Sequence, residues 1–136
     1  MIVLDTNVVV SAADNDEPRH GTCAELLRRH RAELVVPTTV VVESSWFIED
    51  RLGPVAEAKF LRSVTSGELR RQDLTDADWE RATALVEAYA DLGLGLVDAS
   101  IVAIAERLGV TTIATLNQRD FRVVRPRHVP AFDLLP

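Results

Sequence analysis

The stretch that decides the fold is MIVLDTNVVVSA, residues 1–12. Ile2 to Leu4 are apolar, Asp5 interrupts them, and Val8 to Val10 resume the apolar pattern. A run this short reads as a buried strand, and Thr6 to Ala13 as a short helix after it. The carboxylate between them needs an explanation. A lone ionised carboxylate is costly to bury unless something positive stands beside it. The first basic residue in the chain is Arg19, well outside this stretch.

The same alternation continues downstream. Thr22 to Arg31 carry a helical pattern with Cys23, Leu26 and Leu27 on one face. Leu34 to Val36 form a second apolar strand, stopped by Pro37, and Thr38 is placed to cap a helix reaching Arg51. Gly53-Pro54 breaks that helix, and Val55 to Val64 form the next. Leu69 to Leu74 read as a third strand whose polar residues suggest a sheet edge. The longest helix starts at Thr75 and is expected to end near Leu92. Another runs from about Asp98 to Leu108, with Gly109 closing it. Thr112 to Thr115 and Phe121 to Val124 are the fourth and fifth expected strands. Short apolar strands alternating with helices predict a three-layer α/β/α sandwich with a mostly parallel sheet of four to five strands. In such sheets ligands bind beyond the carboxyl ends of the strands. Asp5, Asn117 and Asp120 fall on that edge.

The totals narrow the function classes. The chain has 136 residues, 47% of them hydrophobic, enough for one domain with a real core. The formal charge of −6 argues against a general nucleic-acid coat. Cys23 is the single cysteine, so no disulfide forms within the chain, which favours a reducing compartment. Residues 1–136 show neither a signal-peptide pattern nor an apolar run long enough to span a bilayer. The expected location is the cytoplasm.

Four acids have apolar flanks or lie on the functional edge: Asp5, Glu43 in VPTTVVVESSWF, Asp98 in LGLVDASIVAIA, and Asp120 in ATLNQRDF. Singly, Asp98 suits a helix cap, Glu43 a solvated helix face and Asp120 a loop. Together, on one sheet edge, they would repel unless a cation joined them. No Lys or Arg neighbours Asp5, Glu43 or Asp98. All-oxygen ligands suit Mg²⁺ or Mn²⁺. His20, His30 and His128 show no zinc spacing and read as surface residues. The chemistry this predicts is metal-assisted phosphodiester hydrolysis. Asp5 and Asp98 hold the metal, Glu43 orients or deprotonates water, and Asn7 and Thr115 brace the ligands. Aspartyl phosphotransferases want a second Asp two residues after the first, where this chain has Asn7, and a nearby lysine, whereas the only one is Lys59 in an unrelated helix. A glycine-rich phosphate loop is absent from the sequence, so no nucleotide cofactor is expected.

The segments VLDTNVVV, PTTVVVESSW, LGLVDASIVAIAERLG and IATLNQRDF, in this order, resemble the PIN-domain ribonucleases, and the length resembles the VapC-type toxins of toxin–antitoxin pairs. The resemblance runs from Ile2 to about Arg125. It implies an α/β/α sandwich, Mg²⁺ or Mn²⁺ dependence, an RNA substrate, a cognate antitoxin that covers the site, and a symmetric dimer. Asp5, Glu43 and Asp98 match the family's acidic triad, and Thr6 and Asn7 match the residues after the first acid. Many members carry Asp where this chain has Asn117, which leaves Asp120 as the only ionisable acid of that loop and the metal count open. Trp46, Phe47 and Phe60 lie on helices placed to line an antitoxin groove, or singly belong to the core.

Two basic clusters stand out: Arg28 to Arg31 around His30, and Arg119, Arg122, Arg125 and Arg127 with His128. Arg119 and Arg122 follow the functional edge and are the candidate phosphate contacts, or else the charged rim of an edge strand. Aromatic residues make up 5% of the chain, which argues against a base-stacking platform. Two other readings fit the pattern: a non-catalytic PIN-fold scaffold, and a metal-dependent nuclease acting on DNA.

Overall fold

A computed structural model describes residues 1–136. The elements in chain order are β1 (Ile2–Leu4), α1 (Thr6–Ala13), α2 (His20–Arg29), β2 (Leu34–Pro37), α3 (Thr38–Leu52), α4 (Pro54–Thr65) and β3 (Arg70–Gln72). They are followed by α5 (Asp76–Ala88), a 3₁₀ turn at Ala90–Leu92, α6 (Leu96–Leu108), β4 (Thr112–Ala114), α7 (Gln118–Val123) and β5 (Asp133–Leu135). The five strands form one sheet in the order β3-β2-β1-β4-β5, every pair parallel. The helices cover this sheet in an α/β/α sandwich. Helices α1 to α4 pack on one another, as do α5 and α6, and α3 also meets α6.

The burial pattern explains the strand order. Every residue of β1 and β2 is buried, as a strand covered on both faces requires. Strands β3, of sequence RRQ, and β5, of sequence DLL, carry the exposed and half-exposed positions and stand at the two edges. The chain leaves β1 toward β2 and β3 on one side, then returns to place β4 and β5 on the other. The direction of winding therefore reverses between β1 and β4. That reversal opens a crevice at the carboxyl ends of these two strands.

The expected fifth strand at Phe121–Val124 is a helix instead. Phe121 and Val124 are buried three residues apart while Arg122 and Val123 between them are exposed, which is helical spacing. The fifth strand is Asp133–Leu135, paired to Thr112–Ala114. Two helix limits also move. Helix α6 starts at Leu96 with Gly95 at its N-cap, so Asp98 sits in the first turn and caps nothing. The helix expected to reach Leu92 stops at Ala88, and Gly93 turns the chain at φ 73°. Pro37, not Thr38, is the N-cap of α3, and the Thr38 hydroxyl bonds instead to Gln72 and Asp73.

Helices α5 and α6 are clamped by ion pairs. Asp78 closes a capping box with Thr75 and also accepts Nε of Arg107 at 2.9 Å. Arg81 forks onto Glu106 through bonds of 2.8 and 3.1 Å. Thr75→Ala removes one half of the box while leaving Asp78 paired to Arg107. It should cost about 1 kcal/mol in urea unfolding, with no change in any activity of the crevice on the far strands.

Candidate active site

Asp5 follows β1 directly and caps α1 in an extended conformation. It is only 4% exposed. One carboxylate oxygen accepts the Thr6 amide at 2.7 Å, and the other accepts the Thr115 hydroxyl at 2.7 Å. Thr115 lies just past β4, so this second bond ties together the ends of the two central strands. The Thr115 hydroxyl in turn accepts the Asn117 amide at 2.9 Å, and the Asn7 side-chain oxygen accepts the Leu116 amide at 3.0 Å. Asn7 and Thr115 thus brace the loop after β4 against the start of α1.

The cleft at this point has a volume of about 350 Å³. Asp5, Glu43 and Asp98 all line it, carried by β1's end, α3 and α6. The three acids read from separate segments of the sequence therefore meet in one place. Asn7, Thr6 and Asn117 line it as well. Asp120 does not line the cleft. Its oxygens accept the Asn117 side-chain Nδ2 at 2.8 Å and Nε of Arg119 at 3.3 Å, and its charge still reaches Asp98.

The electrostatics record the crowding. Burial raises the Asp5 carboxyl above its ordinary value, and Glu43 adds to this, while hydrogen bonds from Thr115 and Thr6 oppose it. Asp98 is pushed from 3.8 up to about 7, first by burial and then by Asp5, Asp120 and Glu43. Like charges held together raise one another's pKa until a cation offsets them.

The residues fit a hard divalent cation. No three acids, histidines or cysteines stand together as a ready-made cage. Mg²⁺ does not need one, since it is usually held by one or two carboxylates with waters completing the shell. Asp5 and Asp98 supply such a pair, and each hydrogen-bonded oxygen of Asp5 keeps a second lone pair. Thr6 also lines the cleft, and its buried hydroxyl has no hydrogen-bond partner in the protein. An oxygen left unpaired beside two acids is a donor waiting for a ligand or its water shell.

Arg119, Arg122, His20, His128, Trp46 and Phe60 lie outside the cleft lining. Arg119 has a side chain 85% exposed and pairs with Asp120, while Arg122 bonds to Gln118, and neither lines the cleft. His128 is not a free surface residue: its Nε2 lies 2.7 Å from the Val110 carbonyl. His20 likewise bonds through Nδ1 to the Ser11 carbonyl at 2.9 Å. Trp46 is 61% exposed rather than core, whereas Phe60 is buried. Two charged residues of the cleft were not anticipated, Glu17 and Arg51. The signal for Arg51 was available, because Glu43, Phe47 and Arg51 are spaced at i, i+4 and i+8 on one helix.

Comparison with known proteins decides the family. The model of the PIN domain matches residues 2–125. The chain belongs to the PIN-domain family. Among curated PIN relatives, ribonuclease VapC26 of Mycobacterium tuberculosis is 31% identical over 135 residues, which is 99% of this chain and 100% of that protein. Among solved structures, M. tuberculosis VapC20, described as a sarcin–ricin-loop-cleaving toxin, superposes with a TM-score of 0.78 at 20% identity. That match covers 83% of this chain and 87% of VapC20, and it shows the shared PIN fold.

The raised Asp98 pKa sets a pH dependence for the metal-free protein. Its carboxyl binds a proton more tightly in the folded chain than in the unfolded one. The resulting stabilisation is complete below the ordinary value of 3.8 and is lost as pH rises through about 7. With chelator present, the melting temperature should therefore fall as pH is raised across this window. Asp98→Asn should flatten the fall and melt higher than wild type at the alkaline end. A melting temperature that rises with pH in both proteins would contradict the repulsion.

Proposed function

We propose that residues 1–136 form one nuclease domain, a divalent-metal-dependent endoribonuclease that hydrolyses RNA phosphodiester bonds as the toxin of a toxin–antitoxin pair. The observation that carries this reading is the meeting of Asp5, Glu43 and Asp98 in one cleft at the winding reversal of a PIN fold. The near full-length likeness to a VapC ribonuclease supports the toxin assignment. No helix of the chain is long and apolar enough to cross a membrane. Such a toxin acts in the cytoplasm, where its RNA is.

Asp5 and Asp98 would hold Mg²⁺ or Mn²⁺, with the Thr6 hydroxyl beside them. When bound, the ion supplies positive charge that lowers the pKa of water and offsets charge on a phosphate oxygen. The protein's own part follows from the geometry. Glu43 enters the cleft from α3 and accepts the proton of the attacking water. The water oxygen bonds to phosphorus, one phosphorus–oxygen ester bond breaks, and the leaving oxygen takes up a proton. Thr115 and the Thr6 amide fix both oxygens of Asp5, so that it does not turn during the reaction. Asn117 holds Asp120 at the rim, where Asp120 orients water.

Two surface grooves support the partners that the family implies. One groove of about 780 Å³ lies between α1 and α4, floored by Leu27, Leu34, Phe60 and Leu69 and edged by Lys59 and Arg62. An amphipathic segment of the antitoxin suits it, apolar face inward. Trp46 and Phe47 line a different groove, with Val42 and Leu96, beside Glu43. Val42 and Trp46 are 64% and 61% exposed, and this apolar patch is the face for a second copy in a homodimer. Sedimentation of a Trp46→Glu variant, which should shift from dimer to monomer, checks that placement.

Asp5→Ala should fold and lose cleavage of cellular RNA by at least about a hundredfold, and Mn²⁺ should no longer raise its melting temperature. Asp120→Ala should lose less and recover in part with added metal. Asn117→Asp should bind Mn²⁺ more tightly by calorimetric titration. An Asp5→Ala variant as active as wild type would overturn the assignment.

A further inference from the structure

The cleft holds four carboxylates, Asp5, Glu17, Glu43 and Asp98, and one cation, Arg51. RNA is a polyanion, so the charge of this cleft needs an offset wherever the strand runs beyond the central acids. Arg119 and Arg122, the arginines nearest in sequence to the acidic edge, lie outside its lining. Arg51 stands on the last turn of α3, two turns after Glu43, with Phe47 between them on the same stripe. Its guanidinium lies over the Phe47 ring, 5.5 Å from the centroid. It is paired with Glu17 and stands 3.7 Å from Asp14.

We propose that Arg51 is a substrate-binding residue, which exchanges its carboxylate partners Glu17 and Asp14 for a phosphate of the RNA strand next to the scissile bond. This deepens the ribonuclease reading and rests on it. Three physical features support the role. Arg51 keeps 38% of its side chain exposed, so a phosphate can reach its free N–H groups. An ion pair this open is weakly held, and exchanging a carboxylate partner for a phosphate costs little. A guanidinium also presents a planar fork that matches two phosphate oxygens, and the Phe47 face beneath it limits where the fork points.

The simpler role is a tether. Arg51 joins the end of α3 to the loop between α1 and α2, since Asp14 caps α1 and Glu17 follows it. A tether and a phosphate contact differ in their response to salt. Each phosphate contact to a single strand contributes a slope of about 0.7 to the fall of log affinity with log salt concentration. A tether contributes none.

The test uses the full chain in a Glu43→Gln background, which stops cleavage. The probe is a short fluorescent single-stranded RNA of mixed sequence, bound in the presence of Mn²⁺ over a range of salt. Arg51→Gln should weaken binding roughly tenfold and make the salt slope shallower by about 0.7. Arg51→Lys should keep the slope and recover only part of the affinity, since it keeps the charge without the fork. Glu17→Gln should tighten binding, because it frees Arg51 and removes a negative charge from the cleft. If Glu17→Gln and Arg51→Gln weaken binding alike, with slopes unchanged and equal losses of melting temperature, Arg51 is a tether and the proposal falls. Should Arg51→Gln fail to fold, the lysine and Glu17 variants decide it by the same criteria. Loss of RNA binding by the Arg51-intact protein itself would overturn the ribonuclease reading together with the proposal.

Discussion

The bond between the Thr115 hydroxyl and the buried Asp5 carboxylate joins the two central strands where the sheet reverses its winding. Most of the site hangs from it. The bond places the loop after β4 over the start of α1, and Asn7 and Asn117 lock that loop through the backbone. It also fixes the rotamer of an acid that has no basic partner. The hydrogen bonds offset part of the desolvation, but they do not cancel it, and the carboxyl remains raised. The stabilisation of the charged form is left incomplete, as it must be if a cation is to bind there with any strength.

The cleft and the clamp between α5 and α6 show opposite uses of charge. At the clamp, every acid has its arginine: Asp78 with Arg107 and Glu106 with Arg81. Burial opposes ionisation of Glu106, and Arg81 with the Arg127 amide overcomes it, so that its pKa falls. In the cleft Asp5 and Asp98 stand without such partners, and Asp98 rises to about 7. Burial raises the carboxyl at Glu106 as it does at Asp5 and Asp98. What differs is whether the sequence supplies a guanidinium on the neighbouring helix. The acids of the clamp are matched, and Asp5 and Asp98 at the sheet's crevice are not, which is the pattern of a binding site.

Much of this arrangement was readable from the chain. The buried strands were legible because both faces of β1 and β2 are covered, which leaves continuous apolar runs. Asp5 and Asp98 stood out for the same reason, being acids set in apolar sequence. Glu43 also stands among apolar flanks, but a helical Glu usually faces water, and its grouping with Asp5 and Asp98 rests on the resemblance to the PIN domain. The segment around Phe121 misled because short apolar runs do not separate strand from helix, and β5 was hidden by its acidic first residue. Arg51 and Glu17 were passed over because each sits in charged sequence at the end of an element, where arginine and glutamate are ordinary. The spacing from Glu43 puts Arg51 on the acid's face of α3, but its pairing with Glu17 on a distant loop is a tertiary fact. Asp120 is intermediate: the sequence placed it near the acids, yet its side chain turns to Asn117 and Arg119 at the rim.

Helix α3 carries Glu43, Phe47 and Arg51 along one face. Eight residues of helix span about 12 Å, so on the proposed roles the helix would work as a ruler laid along the strand path. Its graduations would be a proton acceptor, a flat apolar face and a cationic fork. A ruler of this kind reads length rather than base identity. It would select RNA whose backbone can bring two phosphates to that separation, a matter of local folding and extension in the RNA. It also makes the register of α3 unforgiving. One residue inserted between Glu43 and Arg51 would swing the fork by about 100° and turn it out of the cleft, with the acids left undisturbed.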